Sequence, residues 1–127
     1  KEINEFCKFM IKNKLDTLVS VEEKQIACVF KSKSINFKKL LPNPPSQKMV
    51  PIKAYATVLM GWGKKNFIKN MKKYNSAYHG GCGKTDYFTL EGLSTLDIDN
   101  EIDFQLVERI VMSNISNKKL KKRYYKK

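Results

Sequence analysis

The chain has 127 residues, 42% of them hydrophobic and 29% charged, and a formal net charge of +13. At that length one domain with a modest core is expected. Cys7, Cys28 and Cys82 stand far apart without a C-x-x-C pair, and His79 is the sole histidine, which argues against a disulfide framework or a zinc site. No apolar run reaches the roughly 18 residues of a membrane span and no signal pattern opens the chain, so a soluble, cytoplasmic protein is expected.

Ile3, Phe6, Cys7, Met10 and Ile11 recur three and four apart, predicting an amphipathic first helix that ends near Asn13. Leu18, Val19 and Val21 predict a strand. A second extended piece, from Gln25 to Phe30, is expected to turn across Lys31 to Ser34 and pair with Ile35 and Phe37. Leu41-Pro42-Asn43-Pro44-Pro45 must be irregular, because proline lacks the ladder donor and restricts the residue before it. Ala54 to Trp62 is the longest β-rich run, Lys64 to Lys73 sets Phe67, Ile68 and Met71 on one helical face, and Asp86 to Glu91 is a further strand. Tyr55, Trp62 and the other aromatics are assigned to core or interface.

Tyr78-His79-Gly80-Gly81-Cys82-Gly83-Lys84-Thr85 resembles a phosphate-binding P-loop only at first sight. That motif needs glycine at Tyr78 and a helix after Lys84, whereas Tyr87-Phe88-Thr89-Leu90 reads as strand. A flexible turn carrying Lys84 toward a ligand and a plain turn both fit. His79 has no acidic or nucleophilic neighbour in sequence and reads as a turn residue rather than a general base.

The positive charge is concentrated at the end. Lys118, Lys119, Lys121, Lys122, Arg123, Lys126 and Lys127 follow the last acid. Only Arg109 and Arg123 are arginine, the residue that fork-like recognition of bases and phosphates favours, so specific nucleic-acid binding is not expected. Residues 118–127 read as a basic, solvated and disordered tail. Through salt-sensitive contacts it could still grip phosphates or an anionic membrane.

The clearest sign of chemistry is Leu96-Asp97-Ile98-Asp99-Asn100. In a strand, residues two apart share a side, so Asp97 and Asp99 would converge while Leu96 and Ile98 face the core. Two hard oxygen ligands suit Mg²⁺, which takes one or two protein carboxylates and fills its other positions with water and substrate phosphates. The same residues also fit a helix start, with Asp99 or Asn100 as the cap and the other acids at its positive end.

The run Leu96-Asp97-Ile98-Asp99-Asn100-Glu101-Ile102-Asp103-Phe104-Gln105-Leu106-Val107-Glu108 resembles the closing signature of the acylneuraminate (CMP-sialic acid) cytidylyltransferase family. Asp16-Thr17-Leu18-Val19-Ser20-Val21 is similar to that family's central strand, Pro45-Ser46-Gln47 to its arm motif, and Gly83-Lys84 with the following strand to the approach to the aspartate pair. The resemblance covers most of residues 1–113. It implies an α/β, three-layer nucleotide-diphospho-sugar transferase (Rossmann-like) fold and transfer of CMP from CTP to a nonulosonic acid. It places Mg²⁺ on Asp97 and Asp99, makes Gln47 and Lys84 substrate contacts, and implies a homodimer built through a β-rich arm at about residues 25–56.

Two departures qualify this. The family's Gly/Arg/Ser/Lys-rich CTP loop has no counterpart here, so residues 1–117 are expected to be the C-terminal portion of such a domain, inactive alone. Pro45 and Ala56-Thr57 replace the arginine and the Asn-Gly that family members place near the arm, so sugar specificity does not carry over. A basic module binding nucleic acid or membrane through the tail, and an inactive remnant, are the other expectations.

Overall fold

The computed structural model describes residues 1–124, with side chains as far as Ile115. They fall into two units, Lys1–Thr95 and Leu96–Lys127. The first contains α1 (Glu2–Lys12), β1 (Thr17–Lys24), β2 (Val29–Phe30), β3 (Lys33–Ser34), β4 (Ile52–Trp62), α2 (Lys64–Tyr74) and β5 (Thr85–Thr89), with 3-10 turns at Ser46–Lys48 and Gly92–Thr95. The second contains α3 (Glu101–Tyr124) and the residues leading into it. A small mixed sheet with three helices makes the chain an α/β protein, as expected. No helix among the described residues is long and apolar enough to cross a membrane.

α1 carries Glu2 and Glu5 in its first turn and Lys12 in its last, each at the end where its charge complements the helix dipole. The helix stops where Lys14 takes a left-handed φ of 51° and the chain turns into β1. β1 is central in the order β4-β1-β5, antiparallel to β4 and parallel to β5. Thr17 to Val21 are buried on both faces, the usual state of a central strand.

On one face Leu18 meets Phe6 and Leu15, with Phe9, Met10, Leu59 and Phe88 packed around them. Phe6 and Phe9 both approach the Phe88 ring edge to face, at 5.5 and 5.7 Å. Glycine at position 61 lets α1 come this close, since a Cβ there would lie 2.8 Å from Met10 Sδ and 3.2 Å from the Phe6 ring.

β4 is interrupted. Its ladder pairs Val19 with Met60 and then Val21 with Tyr55, so Ala56 to Leu59 stand against Ser20 alone. Thr57 supplies the bend at a left-handed φ of 52°. The Leu59 N–H donates to the Ser20 hydroxyl at 2.9 Å, so a buried serine replaces the missing ladder acceptor.

Residues 25–51 form an arm ordered by side-chain amides rather than by a core. Asn36 accepts from the Cys28 N–H and donates to the carbonyls of Ile26 and Val50. Gln25 donates to the carbonyls of Gln47 and Met49. The expected hairpin exists but is tighter: Val29 and Phe30 pair with Ser34 and Lys33, the Ile35 N–H donates to the Cys28 carbonyl at 2.9 Å, and Phe37 lies outside the ladder. Lys31 and Ser32 both take positive φ and close the turn two residues earlier than the apolar pattern suggests. The arm leaves Phe30, Ile35, Leu40 and Val50 largely exposed.

Candidate functional site

The structure overturns the strand expected to present the aspartate pair. β5 ends at Thr89, a 3-10 turn spans Gly92–Thr95, and residues 96–99 join no sheet. Without a ladder to hold them, Leu96 and Ile98 do not enter a core; both are exposed, as are Asp97 and Asp99. Asn100 is the cap of α3: its side-chain oxygen accepts from the N–H groups of Ile102 at 2.9 Å and Asp103 at 3.1 Å. The Asp103 carboxylate reaches back to the Asp99 N–H at 3.2 Å, closing a reciprocal capping arrangement. Asp97 Oδ1 accepts from the next residue's N–H. Among the described residues the Asp99 carboxylate accepts no hydrogen bond, so neither aspartate is consumed by the cap.

Two exposed carboxylates offer the oxygen donors that Mg²⁺ favours, but with no strand over residues 96–99 the alternation that would set them on one side is gone. No group of three or more His, Cys, Asp or Glu among the described residues could hold a metal by protein ligands alone. An ion at Asp97 and Asp99 would therefore need its substrate to complete it.

Lys84 and Gln47 stand at opposite ends of the sheet in the first unit. Lys84 precedes Thr85, which pairs with Thr17, and its groups lock the start of two strands. Its carbonyl accepts from the N–H groups of Asp16 and Thr17, its N–H donates to Asp16 Oδ2 at 2.9 Å, and its ammonium donates to the Asn13 carbonyl at 3.0 Å. Gln47 sits in the exposed turn before β4, whose Ile52 pairs with Lys24 at the far end of β1. The length of β1, roughly 23 Å at about 3.3 Å per residue, separates the two ends. The glycine-rich turn thus lies at the amino end of the parallel pair, whereas open α/β sheets bind ligands at the carboxyl end. At that carboxyl end lies a hollow of about 250 Å³ lined by Glu22, Glu23, Thr89, Leu90, Glu91 and Gly92.

The turn itself is built on Asn70, the one polar side chain of α2 that is fully buried, 1% exposed. Its amide donates to the carbonyls of Gly80 and Cys82 and accepts from the Cys82 N–H at 2.9 Å. Gly81 and Gly83 adopt φ of 135° and 122°, and a side chain at either would collide with Asn70 or with Asn66 and Asp16. Cys82 is held 3.2 Å from the Tyr74 hydroxyl. That hydrogen bond, helped by Lys73 and Lys69 against the opposing effect of burial, holds its thiol below the usual range.

The feature that sequence reasoning missed is on the sheet face away from α1. Residues paired across a ladder share a face, so Val19 and Val21 stand beside Met60 and Tyr55 of β4 and beside Tyr87 and Thr89 of β5. The Tyr55 and Tyr87 rings lie 6.0 Å apart over β1. From Tyr55 the row continues through His79 at 5.3 Å, Tyr78 at 4.9 Å, Trp62 at 6.0 Å and Phe67 of α2 at 5.8 Å. Beside Trp62, Phe67, Met71 and Tyr78 the surface opens into a mainly apolar hollow of about 420 Å³.

The fold and these sites define a small α/β protein with an exposed carboxylate pair on one unit and an aromatic, lysine-flanked face on the other. No family model matches the chain, nor does any curated protein or any solved structure.

Proposed function

We propose that the chain serves a nucleotidyltransferase of the cytidylyl-transferring kind, with the three-layer transferase fold and sugar-acid chemistry implied by the resemblance of residues 96–108. The observation that carries this reading is the division of labour before α3: Asn100 performs the capping, which leaves Asp97 and Asp99 exposed for Mg²⁺. The ion, when bound, would neutralise phosphate charge on CTP and favour ionisation of the attacking sugar hydroxyl. Asp97 and Asp99 are the ligands. Gln47, on the arm, is the sugar contact; Lys84 contributes only if its ammonium leaves the Asn13 carbonyl.

The separation of Gln47 from the Lys84 end of the sheet supports an arm that serves a second copy of the chain rather than its own sheet. The exposed Phe30, Ile35, Leu40 and Val50 supply apolar surface for that contact.

Manganese titration observed by NMR tests the metal reading. Paramagnetic broadening should centre on the amides of residues 97–100, strengthen with CTP, and vanish in Asp97→Asn and Asp99→Asn while the remaining spectrum is unchanged. Broadening centred on Glu22, Glu23 and Glu91 instead, or unaltered by either substitution, would refute it.

A further inference from the structure

We infer that the aromatic face of the first unit is a stacking platform for single-stranded nucleic acid, bound with little regard to sequence. Val19 and Val21 are 0% and 1% exposed, yet the residues beside them on this face include tyrosines left 40% and 44% exposed. Tyr87 and Tyr55 therefore spend one side of their rings covering β1 and keep the other side in water. Tyr78 and Phe67 extend the row at 49% and 38% exposure.

A core would bury such rings on both sides. Here neighbouring planes are tilted by 31° to 87°, so the row presents a series of separate faces and edges rather than one continuous sheet of hydrocarbon. Bases splayed from a flexible strand can meet such surfaces one at a time, and every base has a π-face, which makes stacking tolerant of sequence.

Charge selects the same partner. Lys53 lies 5.9 Å from the centre of the Tyr87 ring. α2, which contributes Phe67, carries Lys64, Lys65, Lys69, Lys72 and Lys73 without a single acid. Glu23, which shares this face with Val19 and Val21, is held by Lys53 at 3.9 Å and by the Thr89 hydroxyl at 3.2 Å. Aromatic rings bordered by lysines form the combination that tracks a phosphate backbone while stacking its bases. Lysine point charges without arginine forks match binding that does not read sequence. The same charge disfavours a second copy of this face, since two lysine-rich helices would be brought together.

Trp62 is the sole tryptophan and stands in the row, so its fluorescence reports on the site directly. The full chain is titrated with oligo-uridylate, oligo-thymidylate, an RNA duplex and anionic phosphatidylserine vesicles. Saturable quenching of Trp62 by either single strand is expected, with the stronger of the two naming the natural ligand, and weak quenching by the duplex. Tyr87→Ala should lower affinity roughly ten-fold or more, the loss of one stacked base, while Tyr87→Phe retains it. Tyr78→Ala, in the loop outside the sheet, repeats the test without removing the cover over Val19. Neutralising about three phosphates should give a log-log salt slope of roughly −2. Changing Lys118, Lys119, Lys121 and Lys122 to glutamine should leave the saturating quench intact. Binding that leaves Trp62 fluorescence unchanged overturns the inference. So do affinities equal to wild type in both alanine variants, equal binding of the duplex, or quenching by vesicles alone.

Discussion

Asn70 shows how one residue can set the character of an element. An amide with three hydrogen bonds holds the Gly80 to Cys82 turn from inside, and nothing else in α2 is fully buried. Asn70→Ala would leave the half-buried Cys82 N–H and the carbonyls of Gly80 and Cys82 without this partner and should cost about 1–2 kcal/mol in urea unfolding, with the loss centred on the turn. The same turn presents Cys82 to Tyr74. Because the Tyr74 hydroxyl lowers the thiol's pKa, more thiolate exists at a given mildly alkaline pH, and alkylation by iodoacetamide should be faster at Cys82 than in a Tyr74→Phe variant. The difference should shrink as pH rises above the ordinary thiol range, where both forms are ionised. The depressed pKa also carries a sign for stability: its contribution is present above the unfolded thiol's pKa and fades as pH falls through the folded one.

At the scale of elements, α3 gives the simplest test of the reading before its first turn. Asn100→Ala should destabilise the helix start by about 1 kcal/mol and Asn100→Asp by much less, since an aspartate accepts the same two N–H groups. Neither change should abolish manganese broadening if Asp97 and Asp99 are the ligands. α1, β1, α2 and β5 were legible as elements from apolar spacing, but burial follows that spacing only in β1; α1 buries Phe6 and leaves Ile3, Cys7 and Ile11 exposed, and α2 buries Asn70 while Phe67, Ile68 and Met71 stay exposed. The aromatic face was not legible. Alternation over an unbroken β4 puts Tyr55 and Trp62 on opposite sides of the sheet, seven positions apart. The displaced residues opposite Ser20 reverse that parity, so Tyr55 and Trp62 both face the side of Val19 and Val21. Ser20 and Leu59 form the bond that permits this, and they are ordinary residues in sequence. The strand expected over residues 96–99 failed for a related reason: alternating Leu96 and Ile98 satisfy a period of two without any neighbouring strand to receive them.

For the molecule as a whole, the arm is the element whose apolar surface is least explained within one chain. Leu40 is 96% exposed, and Phe30, Ile35 and Val50 accompany it. Sedimentation equilibrium at tens of micromolar, a range consistent with ordinary specific dimers, should detect a dimer. Leu40→Ser combined with Val50→Ser should convert it to monomer without lowering the unfolding midpoint of the sheet. The pairing of an arm ordered by Asn36 and Gln25 with a sheet ordered by Phe6 and Leu18 was legible only in part. Proline marks where the sheet stops, but amide side chains that bridge distant carbonyls leave no periodic trace. The tail lysines lie beyond the described side chains, so their expected role rests on the salt dependence of binding. The interruption in β4 has one more consequence, for engineering. Each half of that strand is registered independently against β1, and Thr57 and Val58 between them are exposed. A reporter peptide spliced between these two residues should leave both ladders and the Ser20 bond in place, making the middle of this edge strand a permissive insertion point.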